Sequence, residues 1–303
     1  MSRAREAIAE ASATLAAAGI DSARVDAELL AEHAFGVSRG RLTLIEPDAE
    51  QLDRLRRLVA RRAARVPVQH LTGRAPFRYL ELAVGPGVFI PRPETELLVD
   101  WGLSTLANTA DPARPTAPVV VDLASGSGAV ALAVATECPQ ATVYAVERSP
   151  TALAWLRRNA AGSAVHIVEG DITGPATLSD LDGGVDLVLC NPPYVPDATP
   201  LDPEVSGYDP AEAVFGGPDG LDVIRPLVRR AAALLRPGGS LGIEHDDSQG
   251  SAVPELLEAA GAFEAVEDHA DLAGRPRFAT ARRLADFTRS GPPQVPEREE
   301  EEP

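Results

Sequence analysis

Apolar residues near the start of the chain recur at helical spacing. Alanine and leucine repeat this way from Ala4 to Ala18. Asp21 or Ser22 can cap a second helix carrying Val25, Leu29, Leu30 and His33. A third runs from about Pro47 through LDRLRRLVARRAA, and no strand-like run interrupts the three. The pattern predicts a small helical bundle over residues 1–75. At Val66 the character changes to Pro- and Gly-rich, with Tyr79, Glu81, Ala83 and Val84 alternating, which predicts a β-hairpin connector over 76–92. The connector ends in a rigid Pro91-Arg92-Pro93 loop, and a helix from Glu94 to about Leu106 follows.

From Pro118 onward, short apolar runs alternate with helical segments. The runs PVVVDLA, ATVYAVE, AVHIVEG, VDLVLC and SLGIEH are rich in strand formers, with helices expected near 128–137, 150–160 and 221–236. Two more strands are expected at Phe263–Asp268 and Arg277–Arg282. Alternating strands and helices predict an α/β domain over 93–285, a doubly wound, mainly parallel, seven-stranded sheet. The end of the chain, GPPQVPEREEEEP, has the composition of a disordered acidic tail, expected over 286–303.

Composition narrows the function classes. With 303 residues and 45% hydrophobic content, the chain can bury a sizeable core. Its net charge is −17, and every basic side chain is Arg, since the sequence contains no Lys. Such a chain is a poor match to a phosphate backbone, so stable nucleic-acid binding is not expected. Two cysteines, Cys138 and Cys190, make neither a disulfide framework nor a CxxC metal motif. His33, His70 and His166 are scattered without ligand spacing, so no metal site is expected. The N-terminus lacks the apolar core of a signal peptide and no run reaches membrane-spanning length, so a cytoplasmic protein without membrane attachment is expected.

The strand ends carry the candidate chemistry. Val119–Leu123 runs into Ala124-Ser125-Gly126-Ser127-Gly128 and then a helix, a turn whose glycines let backbone approach a ligand. Glu147 ends the next strand, 25 residues after Asp122, where a carboxylate can accept from both ribose hydroxyls of a nucleoside. Asp171, after the third strand, can cap a turn or meet an adenine edge. Each signal alone is weak, but together they describe a nucleoside site at the carboxyl end of a parallel sheet. The loop fits both a dinucleotide such as NAD and S-adenosyl-L-methionine.

The fourth strand, VDLVLC, ends in Asn191-Pro192-Pro193-Tyr194. Methylation of a planar nitrogen gives that ending a purpose that hydride transfer does not. The nitrogen of an amide is a poor nucleophile because its lone pair is delocalised. The Asn191 side-chain oxygen and the Pro192 carbonyl can accept its two N–H groups and aim it. The prolines stiffen the loop, and Tyr194 offers a flat face. The acceptors also stabilise the positive character that develops on nitrogen during transfer.

FIPRPETE (Phe89–Glu96), DLASGSGAVAL (Asp122–Leu132), NPPY (Asn191–Tyr194), PVQHLTG (Pro67–Gly73) and the long block from Gly216 to His245 resemble the bacterial peptide chain release factor N5-glutamine methyltransferases, the HemK/PrmC-like family. The resemblance spans nearly the whole chain. It implies a class I, Rossmann-like methyltransferase that transfers a methyl group from S-adenosyl-L-methionine to the Gln of a Gly-Gly-Gln loop in class I release factors. It puts the cofactor on Ala124 to Gly128, Glu147, Asp171, Ile172 and Asn191. It puts the substrate on Asn191 to Tyr194, with Phe77, Arg92 and Glu94 near the channel, and it gives the N-terminal helices to docking. Asn191, Pro192 and Tyr194 are the expected catalytic residues, and a monomer is the expected state. Ala124 departs from the usual glycine and is tolerable if its φ stays negative. Glu147 stands for the commoner Asp, and Asp246-Asp247-Ser248 also departs. The alternatives are a nucleic-acid amino-methyltransferase and a release-factor-binding protein with impaired catalysis.

Overall fold

The computed structural model describes residues 2–108 and 117–285; the acidic tail expected over 286–303 lies outside them. The chain begins with α1 (Arg3–Ala17), α2 (Ala23–Phe35), α3 (Ala49–Ala63) and the short α4 (Val68–Thr72). Asp48 and Gln51 form a reciprocal capping box on α3, with bonds of 2.8 and 3.0 Å that satisfy two of the free N–H groups at its start. The apolar stripes of α1 to α3 meet in one core around Leu15, Leu30, Leu55 and Val59. Val25 is not part of it: it is 45% exposed, because a helix of this spacing turns only one stripe inward.

The hairpin strands are β1 (Arg74–Phe77) and β2 (Leu80–Ala83), paired antiparallel, so β1 starts inside the span expected to be helical. Arg78 at the hairpin tip holds Glu137 through two bonds of 2.5 and 2.7 Å and pairs with Asp100 at 2.6 Å. The hairpin is thereby tied to the next domain, which opens with α5 (Thr95–Asn108).

The sheet domain continues as β3 (Val119–Leu123), α6 (Ala129–Glu137), β4 (Thr142–Glu147), α7 (Pro150–Asn159), β5 (His166–Glu169) and β6 (Val185–Cys190). Short helices α8 (Pro203–Ser206) and α9 (Ala211–Val214) interrupt the excursion after β6. Then come α10 (Ile224–Leu234), β7 (Leu235–Glu244), α11 (Ala252–Ala259), β8 (Phe263–Ala270) and β9 (Pro276–Arg283). The seven strands lie in the order β5-β4-β3-β6-β7-β9-β8, parallel except that β9 runs against both neighbours. One buried cluster centred on Val188, Ile224 and Leu241 and another on Leu98, Val134 and Leu187 flank the sheet. Gly242 lets α5 press onto β7, since a Cβ there would sit 2.7 Å from Leu98.

The topology decides where the site falls. The chain winds outward from β3 through β4 to β5, then returns to the other side of β3 with β6. The two loops that leave β3 and β6 therefore diverge from neighbouring strands, at the crevice where such sheets bind ligands. Leu123 pairs with Cys190, and the Cys190 thiol donates to the Leu123 carbonyl at 2.8 Å. The glycine turn and the Asn-Pro-Pro-Tyr loop begin at the very next residues.

Candidate active site

One wall of the crevice is backbone. Ala124 (φ 64°), Gly126 (φ 55°) and Gly128 (φ 88°) are all left-handed. The condition on which Ala124 is expected to be tolerable, a negative φ, is therefore not met: the turn demands the left-handed conformation, and alanine accepts it at a cost of roughly 1 kcal/mol. At Gly126 a Cβ would meet nothing within 4 Å, so the backbone here faces open space. At Gly128 a Cβ would sit 2.6 Å from Leu156, so this glycine serves the packing of α6 rather than lining the cavity.

Glu147 is buried at the end of β4. One carboxylate oxygen accepts from the Arg148 and Ser149 backbone N–H groups at 2.8 and 2.7 Å, and the other from Gly126 at 2.8 Å. The acid is thus fixed against the glycine turn with lone pairs still facing the cavity. Asp122 lies behind it, 1% exposed, accepting from the Ala131 N–H at 3.1 Å. Burial, with a smaller push from Glu147, raises its pKa to about 7.

The opposite wall begins at Asn191. Its amide Nδ2 donates to the buried Thr95 hydroxyl at 3.0 Å, which leaves Oδ1 free as an acceptor. Pro193 lines the cavity and Pro192 is buried in support of the turn. The Tyr194 hydroxyl donates to Glu244 at 3.0 Å, and burial beside that acid raises the phenol pKa well above its ordinary value. Gln249 ties the loop down from behind, donating to the carbonyls of Tyr194 and Asp219, each at 3.0 Å.

The excursion after the loop closes the cavity with Pro210, Glu212 and Ala213. It is bolted at three points. Glu204 pairs with Arg62 and Arg65 of the helical region, both at 2.8 Å, and Arg62 also holds Asp26 at 2.7 Å. Tyr208 packs on the helical core and meets His70 edge-on at 6.1 Å. Asp209, its side chain wholly buried, accepts from the Ile90 N–H at 3.2 Å and pairs with Arg92. Burial raises its pKa, opposed by Arg92 and the Ile90 N–H.

The structure gathers most of the expected site. Phe77, Ala124, Ser125, Gly126 and Ser127 line one cavity with Glu147, Ile172, Asn191 and Pro193. Gly128, Pro192 and Tyr194, the last with its hydroxyl committed to Glu244, lie outside that lining, and so do three more expected residues. Asp171 does not line the cavity: its carboxylate accepts from the Thr173 N–H and hydroxyl at 2.8 and 2.7 Å and faces Arg148 at 3.6 Å, an Asx turn. Arg92 is committed to Asp209 and lies over Phe89 at 4.7 Å. Glu94 is outside the lining and acts on Glu244, whose pKa it raises.

Residues the sequence reading did not single out are Thr95, Arg148, Glu212, Glu244 and Gln249. Thr95 stands inside the quoted PETE block, and Glu244 ends a strand as Glu147 does, so both had a positional signal. Among the described residues no group of acids, histidines and cysteines is placed to hold a metal ion, and no helix is long and apolar enough to cross a membrane.

The strand order, the glycine turn facing a buried acid, and an Asn-Pro-Pro-Tyr loop beside them define a class I methyltransferase. Residues 6–73 match the PrmC N-terminal domain and residues 80–201 the methyltransferase small domain. The chain is 53% identical to the release factor glutamine methyltransferase of Mycolicibacterium smegmatis, over 94% of this chain and 99% of the relative. It is 50% identical to that of Streptomyces coelicolor, over 91% and 96%. It is 47% identical to that of Mycobacterium tuberculosis, over 95% and 94%. The chain belongs to the release factor glutamine methyltransferase family.

Proposed function

We propose that this protein methylates the side-chain amide nitrogen of the glutamine in the Gly-Gly-Gln loop of class I release factors, with S-adenosyl-L-methionine as donor. The observation that carries the reading is the adjacency of the two loops at Leu123 and Cys190, with Asn191 Oδ1 left free beside the glycine turn. The chain's own groups suit the cofactor. Gly126 offers open backbone, and Glu147 has acceptors for ribose hydroxyls. When bound, S-adenosyl-L-methionine supplies an electrophilic methyl on a sulfonium.

Asn191 Oδ1 and the Pro192 carbonyl accept the two N–H groups of the target carboxamide and fix the direction of its nitrogen. Thr95 holds the Asn191 amide before the substrate arrives, so little ordering of that acceptor is left for the reacting complex. The two acceptors also stabilise the positive character that nitrogen gains in transfer. No strong base is required, because the methylated nitrogen is acidic enough to release its proton afterwards. Glu147 and Ile172 belong to the cofactor side, and Phe77 to the mouth.

The helical region, 1–75, docks the release factor, 76–92 links, and 93–285 catalyses. The protein works as a cytoplasmic monomer without stable nucleic-acid contact. The test is to incubate it with methyl-labelled S-adenosyl-L-methionine and a release factor and to map the label by mass spectrometry. Label on the glutamine of the Gly-Gly-Gln loop supports the reading. Label on DNA or RNA but not on release factor, or no label at all, overturns it.

A further inference from the structure

Asn191 has two faces, and only one is useful to a carboxamide substrate. Its oxygen must point at the incoming N–H groups and its NH₂ away from them. An amide flipped the other way would present a donor to a donor. Nothing in asparagine itself fixes this choice, so a neighbour must. That neighbour is Thr95, 3% exposed, whose oxygen accepts from Nδ2 at 3.0 Å. A hydroxyl, however, both donates and accepts, so Thr95 enforces the orientation only if its own proton is committed elsewhere.

We propose that Glu244 is the positioning residue that commits it: the acid sets the direction of a hydrogen-bond relay from Asn191 through Thr95 to its own carboxylate, and so keeps Asn191 Oδ1 facing the substrate. Glu244 stands at the carboxyl end of β7, beside β6, and is 1% exposed. An ionised carboxylate only accepts, so every hydroxyl against it must donate. The Tyr194 hydroxyl takes one oxygen, Oε1, at 3.0 Å. The other, Oε2, is buried with no hydrogen-bond partner; Cys190 pairs with Ile243, so Asn191 and Glu244 follow at neighbouring strand ends, and Thr95, bonded to Asn191, is the hydroxyl beside the acid. Burial raises the Glu244 pKa to about 7, while Thr95, Tyr194 and Arg277 favour the charged form and Glu94 opposes it. One acid thus holds the Tyr194 end of the Asn-Pro-Pro-Tyr loop directly and leaves an open acceptor for the Thr95 proton at the Asn191 end. Its two oxygens can accept from two donors, Tyr194 on Oε1 and Thr95 on the unpartnered Oε2, which the single oxygen of a glutamine in its place cannot do.

This rests on the methyl transfer proposed above, so the experiment separates the two. The full-length protein is used throughout. In the free protein, the side-chain amide protons of Asn191 are followed by ¹⁵N NMR, which needs neither cofactor nor substrate. Single-turnover methyl transfer to release factor is then measured with saturating cofactor. In Glu244→Gln the rate falls about tenfold, the worth of a lost hydrogen bond to a charged group. Cofactor Kd stays within about twofold, because Glu244 does not line the cofactor wall. The melting temperature is unchanged or higher, because a buried charge is gone. Thr95→Val lowers the rate by a similar factor and Thr95→Ser restores it. Thr95→Val with Glu244→Gln is no slower than either alone by more than about threefold, as members of one relay behave. The Asn191 amide protons lose their protection in Thr95→Val and Glu244→Gln but not in Thr95→Ser.

Additive losses in the double variant, or unchanged Asn191 protons in Glu244→Gln, overturn the relay while leaving the methyl transfer standing. A wild-type protein that transfers no methyl group to glutamine overturns the function instead, and the NMR result then still reports on the relay.

Discussion

The two walls of the cavity are made of different materials. The wall from Ala124 to Glu147 is backbone: left-handed residues and N–H groups bonded to strand ends, including Ser125 to the Val146 carbonyl at 2.9 Å. The wall from Asn191 to Ala213 is held by side chains, many of them charged and distant in sequence. Glu204 reaches Arg62 across 142 positions, and Asp209 reaches Arg92 across 117. A backbone wall tolerates side-chain change, which is how Ala124 can occupy a glycine's conformation. A wall of ion pairs does not, and it ties the helical region to the excursion that closes the cavity.

The comparison breaks first at Asn191. Asn191→Ala removes one preorganised acceptor and lowers the single-turnover rate by at least about 100-fold, while cofactor Kd measured by calorimetry changes little. Glu147→Gln attacks the other wall. With its oxygen on Arg148 and Ser149, the new amide NH₂ faces the Gly126 N–H, donor against donor. Cofactor Kd rises about 10- to 100-fold by the same assay, the worth of charged hydrogen bonds.

Glu204→Ala sharpens the contrast. Arg62 keeps Asp26 and Arg65 keeps the Gly19 carbonyl, so the fold holds, but the excursion loosens. Release-factor KM in steady-state assays rises about fivefold, in line with about 1 kcal/mol for such pairs, with cofactor Kd unmoved.

Asp122 gives a signature in pH. Its folded pKa, about 7, lies above the unfolded value, so its contribution to stability is complete below the unfolded pKa. That contribution is lost as pH rises from about 4 through 7. Urea midpoints taken across that window fall for the wild type and fall less steeply for Asp122→Asn.

The smallest effect is Ala124→Gly. Relief of the left-handed strain outweighs the extra freedom of glycine in the unfolded chain by about 0.5 kcal/mol, seen as a melting temperature higher by about 1 to 2 °C.

What the sequence made legible was what a local pattern can carry. The seven strands, the helical bundle and the hairpin followed from periodicity and turn residues, and the glycine turn, Glu147 and Asn191 from their places at strand ends. The misses are long-range or conformational. The sign of φ at Ala124 depends on the turn geometry, not on the residue. Arg92 reads as a substrate contact until its buried partner, Asp209, is seen. Asp171 has an alternative partner two residues away in Thr173, and only the folded turn shows that it takes it. Glu244 carried a signal, an acid at a strand's carboxyl end, but its meaning depends on Thr95 and Tyr194, which the fold brings to it from 149 and 50 positions away.

The central claim is that Asn191 and Pro192 grip a carboxamide at the mouth of the glycine turn. The direct measurement is a crystal structure of the protein with S-adenosyl-L-homocysteine and a peptide carrying Gly-Gly-Gln. The predicted result is the glutamine amide nitrogen within about 3 Å of both Asn191 Oδ1 and the Pro192 carbonyl. A glutamine seated elsewhere, or an Asn191 whose Nδ2 turns from Thr95 towards the peptide, contradicts it.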